Sequence, residues 1–289
     1  MRIKAHQRIL FSVACICAVA AQAQFAGSVQ LEPGLEFSGS WTPAPHEEAF
    51  GDPAIADYLG VPLSDAARAF GHAWDPSRMT VPEHQCQVHV SPYIYGGPLN
   101  LRIWEMKDEQ SQRVVAIRQY VSTYEQNRWI WMDGRPHPPE AAAHTWMGFS
   151  TGKWEGNSLT VYTTHIKQGL LRRNGLPESD QATLVEHFMM HGDLLIHVSE
   201  VTDPVYLTEP LVRTQVFRRI TQAGQTWLYP CESVVEIANR APDVVPHYLP
   251  GENPFINEFF DRYKIPRQAA FAGAESMYPD FIAKMKRMN

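Results

Sequence analysis

The sequence predicts a mainly β protein, an antiparallel meander closing into a lipocalin-like barrel or a strongly curved sheet, with helical and irregular N- and C-terminal extensions. Three observations carry this. Short runs rich in β-branched and aromatic residues recur through the middle of the chain, turn chemistry separates them, and no helical pattern intervenes. The composition, 44% hydrophobic and 19% charged over 289 residues, is globular and excludes a disordered or coiled-coil chain.

Residues 1–23 open with Arg2, Lys4 and Arg8, continue through an apolar run, and end in Ala21-Gln22-Ala23. That pattern reads as a secretory signal peptide, and its apolar run is too short for a bilayer span of about 20 residues. Cleavage there takes the formal net charge from −6 to −9, with no basic cluster longer than an arginine pair. Such a chain is expected in the periplasm or outside the cell, with a small molecule as partner, no membrane span and no nucleic acid. Oligomeric state is not readable. Of the 4 cysteines, Cys86 and Cys231 remain after cleavage. In an oxidising compartment they read as a disulfide closing a long loop, against the alternative of two unrelated buried thiols.

Residues 24–98 read as an N-terminal arm, Pro/Gly-rich at first and then helical where Ser64-Asp65 caps an alanine-rich run that Asp75-Pro76 stops. Strands are predicted at 99–106, 113–120, 128–132, 146–155, 158–166, 182–191, 194–201, 211–220 and 226–229. Asp133-Gly134, Gly156-Asn157, Gly192-Asp193, Asp203-Pro204 and Ala223-Gly224 punctuate them. The barrel core thus covers 99–232. Residues 233–289 form a C-terminal wrap, with helical patterns at 255–260 and 281–288 interrupted by prolines.

The chain lacks GxGxxG, Walker A, HExxH, CxxC and GxSxG patterns, so no cofactor is predicted, with a divalent metal left open. Histidines are the suggestive feature. Glu186-His187 and His191 invite a metal reading, but a Gly192-Asp193 hairpin sets His187 opposite Val198 and His191 opposite Leu194, too far apart for one ion. The same register puts Glu186 and His197 diagonally on the other face, where a carboxylate orients an imidazole. His137, Glu140 and His144 stand in a proline-stiffened loop, the kind of segment that carries chemistry at a barrel mouth. His165 and Lys167, then Arg172, Arg173 and Asp180, follow a strand end. Arginines there would hold an anionic oxygen while an imidazole moves a proton. Trp129 and Trp131 share one strand face, and most of the 8 tryptophans read as barrel core. Trp131, Trp146 and Tyr162 are candidates to line a cavity with His137 and His144.

The segments DGRPHPP (133–139), HTWMGFSTGKWEG (144–156), TTHIK (163–167) and RRNGLP (172–177) resemble a large family of secreted bacterial proteins. The likeness continues to 275–279 and covers nearly all of the mature chain. It implies export but no particular activity, and no catalytic residue is carried over from it. The leading expectation is a secreted, cofactor-independent lyase, isomerase or hydrolase acting on a small aromatic or carboxylated molecule. In it His165 or His187 is the base, Arg172 and Arg173 stabilise negative charge, and Asp180 or Glu186 orients an imidazole. The alternatives are a lipocalin-like carrier without chemistry and a histidine-ligated metalloenzyme.

Overall fold

A computed structural model describes residues 37–44, 53–58, 60–97, 99–221, 227–241 and 243–287; the expected signal peptide lies outside them. The strands are β1 (Gly39–Pro43), β2 (Leu101–Lys107), β3 (Val114–Val121), β4 (Gln126–Trp131), β5 (Phe149–Glu155), β6 (Ser158–Thr164), β7 (Gly169–Arg172), β8 (Leu176–Glu178), β9 (Thr183–His191), β10 (Leu194–Thr202) and β11 (Leu211–Arg219). Nine of them form a closed barrel in the order β1-β11-β10-β9-β6-β5-β4-β3-β2, and β7-β8 is a separate two-stranded sheet.

The expected closed β-barrel is therefore present, with two refinements. A ring in which every neighbour is antiparallel needs an even number of strands, so a ring of nine must contain a parallel contact. It falls at β4-β5, where Ile130 pairs with Ser150 and Trp131 with Thr151. A parallel neighbour requires the chain to travel back along the barrel, and residues 132–148 do this as an irregular crossover. The second refinement concerns the ninth strand. Residues 226–229 do not supply it: Thr226 lies outside the described residues, and Tyr229 makes one isolated bridge, to Thr123. It is β1, from the segment read as arm, which pairs antiparallel with both β2 and β11.

The hairpins follow the turn chemistry. Glu155 pairs with Ser158 around Gly156-Asn157, and His191 with Leu194 around Gly192-Asp193, with Gly156 and Gly192 both at positive φ. Alternation then decides the faces. On β9, Leu184, Glu186 and Phe188 point inward, and on β10, Leu195, His197, Ser199 and Val201 do. On β4 the inward residues are Arg128 and Ile130, so the face that Trp129 and Trp131 share is the outer one; Trp129 is 38% exposed. The two indoles stack at 5.1 Å on the outer wall, with the Arg118 guanidinium over Trp129 and that of Arg135 over Trp131.

Trp41, Tyr95, Ile117, Ile130, Phe188 and Phe217 fill the barrel, each worth about 1.5–3 kcal/mol for the apolar surface it removes from water. A second apolar cluster joins Leu184, Val201 and Leu211 of the barrel strands to Tyr58, Trp74 and Val90 of the arm and Leu171 and Leu176 of the β7-β8 hairpin. The arm's helix, Asp65–His72, starts where predicted, with the Ser64 hydroxyl accepting from Ala67 N. The C-terminal segment carries the short helices Glu258–Tyr263, Arg267–Ala270 and Pro279–Lys286. Cys86 and Cys231 are bonded, S–S 2.09 Å, which joins arm to C-terminal segment.

Candidate functional site

Three polar groupings stand out, and the first lies inside the barrel. Arg128 from β4 makes a bidentate ion pair with Glu186 from β9, Nη1 donating to Oε1 at 3.0 Å and Nη2 to Oε2. Its remaining donors reach Ser150 Oγ at 3.0 Å, Tyr95 Oη at 2.9 Å and Thr163 Oγ1 at 2.8 Å. His197 Nε2 donates to Glu186 Oε1 at 2.9 Å, and its Nδ1 lies 2.8 Å from Gln215 Oε1. Burial pushes the Glu186 carboxyl up, but the Arg128 charge and the hydrogen bonds from His197 and Arg128 outweigh it and hold the group at about 2. Burial likewise lowers Arg128, and the Glu186 carboxylate more than compensates, so both groups are charged. All three side chains are at most 1% exposed. Glu186 thus meets the imidazole of His197, the residue its register sets diagonally on the same face. His187, the proposed base, points to the outside of the same strand, its Nδ1 3.1 Å from Thr160 Oγ1. The guanidinium at the centre, Arg128, was missed, because one arginine among tryptophans gives no periodic signal.

The second grouping is on the outer wall, where the crossover is pinned to β5 and β6. His165 Nε2 donates to Pro139 O at 3.0 Å, so in the neutral ring Nδ1 accepts from the Thr164 hydroxyl at 2.7 Å. That hydroxyl, its proton spent, accepts from His137 Nδ1 at 2.7 Å, and Thr151 Oγ1 donates to His137 Nε2 at 2.9 Å. His144 Nδ1 donates to Ile166 O at 2.9 Å, its ring 5.1 Å from that of His165. The Tyr162 ring lies 4.9 Å from that of His137, tilted at 46° to it. The structure therefore brings together His137, His144, His165 and Tyr162, which the sequence offered as candidates in separate segments. It also occupies both ring nitrogens of His137 and His165, which removes His165 as a free base. The turn before β5 needs Gly148 at positive φ, where a Cβ would meet Thr164 O at 2.6 Å.

The remaining predicted residues are dispersed. Trp131 is covered by Arg135, and Trp146 lies under the Lys167 ammonium at 5.0 Å. Arg172 is lowered by burial and held by the Asp57 charge, Arg173 acts on His89, and Asp180 is exposed. The set His165, His187, Arg172, Arg173, Asp180 and Glu186 does not form one site, because β-alternation sends Glu186 inward and His187 outward while the β7-β8 hairpin diverts 172, 173 and 180 out of the barrel wall. Among the described residues no group of three or more His, Cys, Asp or Glu is arranged to hold a metal ion. No described helix is long and apolar enough to cross a membrane.

The third grouping is a cleft of about 240 Å³ between the arm and the start of β7, with Phe70, Trp74, Met79, Val88 and Leu170 as apolar lining and Arg78, His84, Gln87, His89 and Gln168 as polar lining. Trp74 packs over Gly175, where a Cβ would meet it at 2.5 Å and whose φ of +88° glycine alone adopts at little cost. Arg78 Nε donates to His84 Nε2 at 3.4 Å, and His84 Nδ1 lies 2.8 Å from Gln87 Oε1. The guanidinium carbon sits 5.6 Å from the Trp74 ring centre and 5.9 Å from that of Phe70. Burial, then the Arg173 charge, pushes His89 down to about 4, so it is neutral at pH 7. No residue predicted as a site from sequence lines this cleft. Its residues come from two segments, 70–89 and 168–170, and only the fold joins them.

No protein-family model and no curated protein matches the chain. Among solved structures, one variant of the fluorescent protein UnaG aligns at 12% identity with a TM-score of 0.30, covering 65% of this chain and 99% of that one. A second UnaG variant aligns at 10% identity and a TM-score of 0.29, covering 65% and 98%.

Proposed function

We propose that the protein is an exported small-molecule-binding protein whose ligand occupies the cleft between the arm and β7. The observation that carries this reading is the contrast between the two concavities. The barrel interior is taken up by side chains whose polar groups bond one another, whereas the cleft opens outward and combines aromatic walls with convergent polar ends. Its volume, about 240 Å³, is below the usual range for drug-sized ligands and sets the guest at one or two rings. Export is supported by the basic, apolar and Ala-Gln-Ala succession at the N-terminus and by the Cys86–Cys231 bond. Acid/base catalysis by His165, His187 or Glu186 is not part of this reading, since the first is fully bonded, the second faces away and the third is sealed.

The test is a thermal-shift screen with small aromatic compounds against the natural chain and Met79→Trp, which fills the cleft. Compounds that raise Tm of the natural chain and not of the variant support the site. Equal shifts in both proteins place the ligand elsewhere and overturn it.

A further inference from the structure

Within the cleft, the electrostatics are unbalanced. Its lining contains one arginine and no aspartate or glutamate. Arg78 uses Nε on His84, and among the described residues its terminal nitrogens make no hydrogen bond and no carboxylate pairs with it. Burial alone lowers it from the usual arginine value, with no opposing charge. A guanidinium taken partly out of water is costly unless paired, and its free end presents two parallel N–H groups that match a carboxylate. The Trp74 and Phe70 rings lie 5.6 and 5.9 Å from the guanidinium carbon, and Leu170 and Met79 add to the apolar lining.

We propose that the cleft takes a planar aromatic monocarboxylate, its carboxylate end-on against the terminal nitrogens of Arg78 and its ring along Trp74 and Phe70. This rests on the cleft being the binding site. A monoanion is chosen over a phosphate dianion because the lining carries a single guanidinium, because His89 adds no charge at neutral pH, and because the chain's formal net charge of −6 opposes a second negative charge.

The experiment is isothermal titration with 2-naphthoate, its neutral isostere 2-naphthamide, and 2-naphthyl phosphate, on the natural chain, Arg78→Gln, Arg78→Lys and Met79→Trp. The expected result is naphthoate binding at least tenfold tighter than either competitor. Arg78→Gln loses tenfold or more for naphthoate and less than twofold for naphthamide. Arg78→Lys, which keeps the charge and not the fork, falls between, and it carries the test if Arg78→Gln does not fold. Equal binding of acid and amide, an unchanged naphthoate affinity in the Arg78 variants, tighter phosphate binding, or no naphthoate heat at millimolar ligand each overturn the carboxylate assignment. Naphthoate binding that survives in Met79→Trp instead overturns the cleft itself, so the two failures are told apart.

Discussion

Glu186 and His197 meet at 2.9 Å across the inner barrel face although they are not register partners: Glu186 pairs with Ser199 and His197 with Phe188. The diagonal contact leaves Glu186's other oxygen to Arg128, so one carboxylate ties β4, β9 and β10 together.

Removing either end of that ion pair strands a sealed charge. Arg128→Met or Glu186→Gln is expected to cost about 3–5 kcal/mol, while Arg128→Met with Glu186→Leu recovers most of it. Urea midpoints at pH 7 check this, and a single variant losing under about 1 kcal/mol contradicts it. The folded carboxyl at about 2 lies below its unfolded value, so its contribution is present above about pH 4.5 and is lost as pH falls through about 2.

Glu178 shows the opposite sign. It is 1% exposed, neither oxygen has a hydrogen-bond partner, and burial, then the Asp203 charge, raises it well above the usual carboxylate range. Asp203 accepts hydrogen bonds from Ser179, Val205 and Tyr206. The unfolded chain releases this proton first, so stability is full below about pH 4.5 and declines as pH rises toward the folded value. Glu178→Gln should gain about 1–3 kcal/mol at pH 8 and nothing at pH 4; a uniform loss across that range would refute the neutral acid.

His89 governs the acid limb near the cleft. With its folded value at about 4 against 6.5, the unfolded state binds the proton more readily between those limits. Stability therefore falls as pH drops from 6.5 to 4, by up to about 3 kcal/mol, and is level below. Chemical denaturation of His89→Phe, which keeps the ring packing on Tyr93, should show that step removed.

Thr164 is the hinge of the outer histidine chain. Thr164→Val leaves His137 Nδ1 and His165 Nδ1 without partners, a loss of about 1–2 kcal/mol. Hydrogen exchange should report it as faster opening at residues 133–148 and little change on β9–β10. Equal acceleration in both places would mean that the histidines do not pin the crossover.

What the sequence disclosed and what it withheld follow from the range of the interactions. The β9-β10 register was readable because Gly192-Asp193 is a local turn, and that sufficed to set Glu186 and His197 on one face. The Cys86–Cys231 bond was readable because cleavage of the expected signal peptide would leave two thiols. β1 was not, since five residues ending in Pro43 carry no alternation of their own and become a strand only between β2 and β11. That Trp129 and Trp131 share a face was readable from alternation, but which face was not, since arginines shield the outer indoles and another arginine, Arg128, points inward. The cleft had no local signature at all: Arg78 and Leu170 are neighbours only once the hairpin folds against the arm.

The position of β1 in the ring bears on how the molecule comes into being. Trp41 pairs with Leu101 on one side and Arg219 on the other, so the wall is sealed by contacts of very high sequence separation. Until they form, the eight other strands make an open curl with unpaired edges at β2 and β11, the kind of edge that recruits other chains. A chain trimmed past residue 43 would keep its hairpins and lose its closure. The prediction for such a truncation is a soluble-to-aggregated transition at rising concentration, while the intact chain stays dispersed.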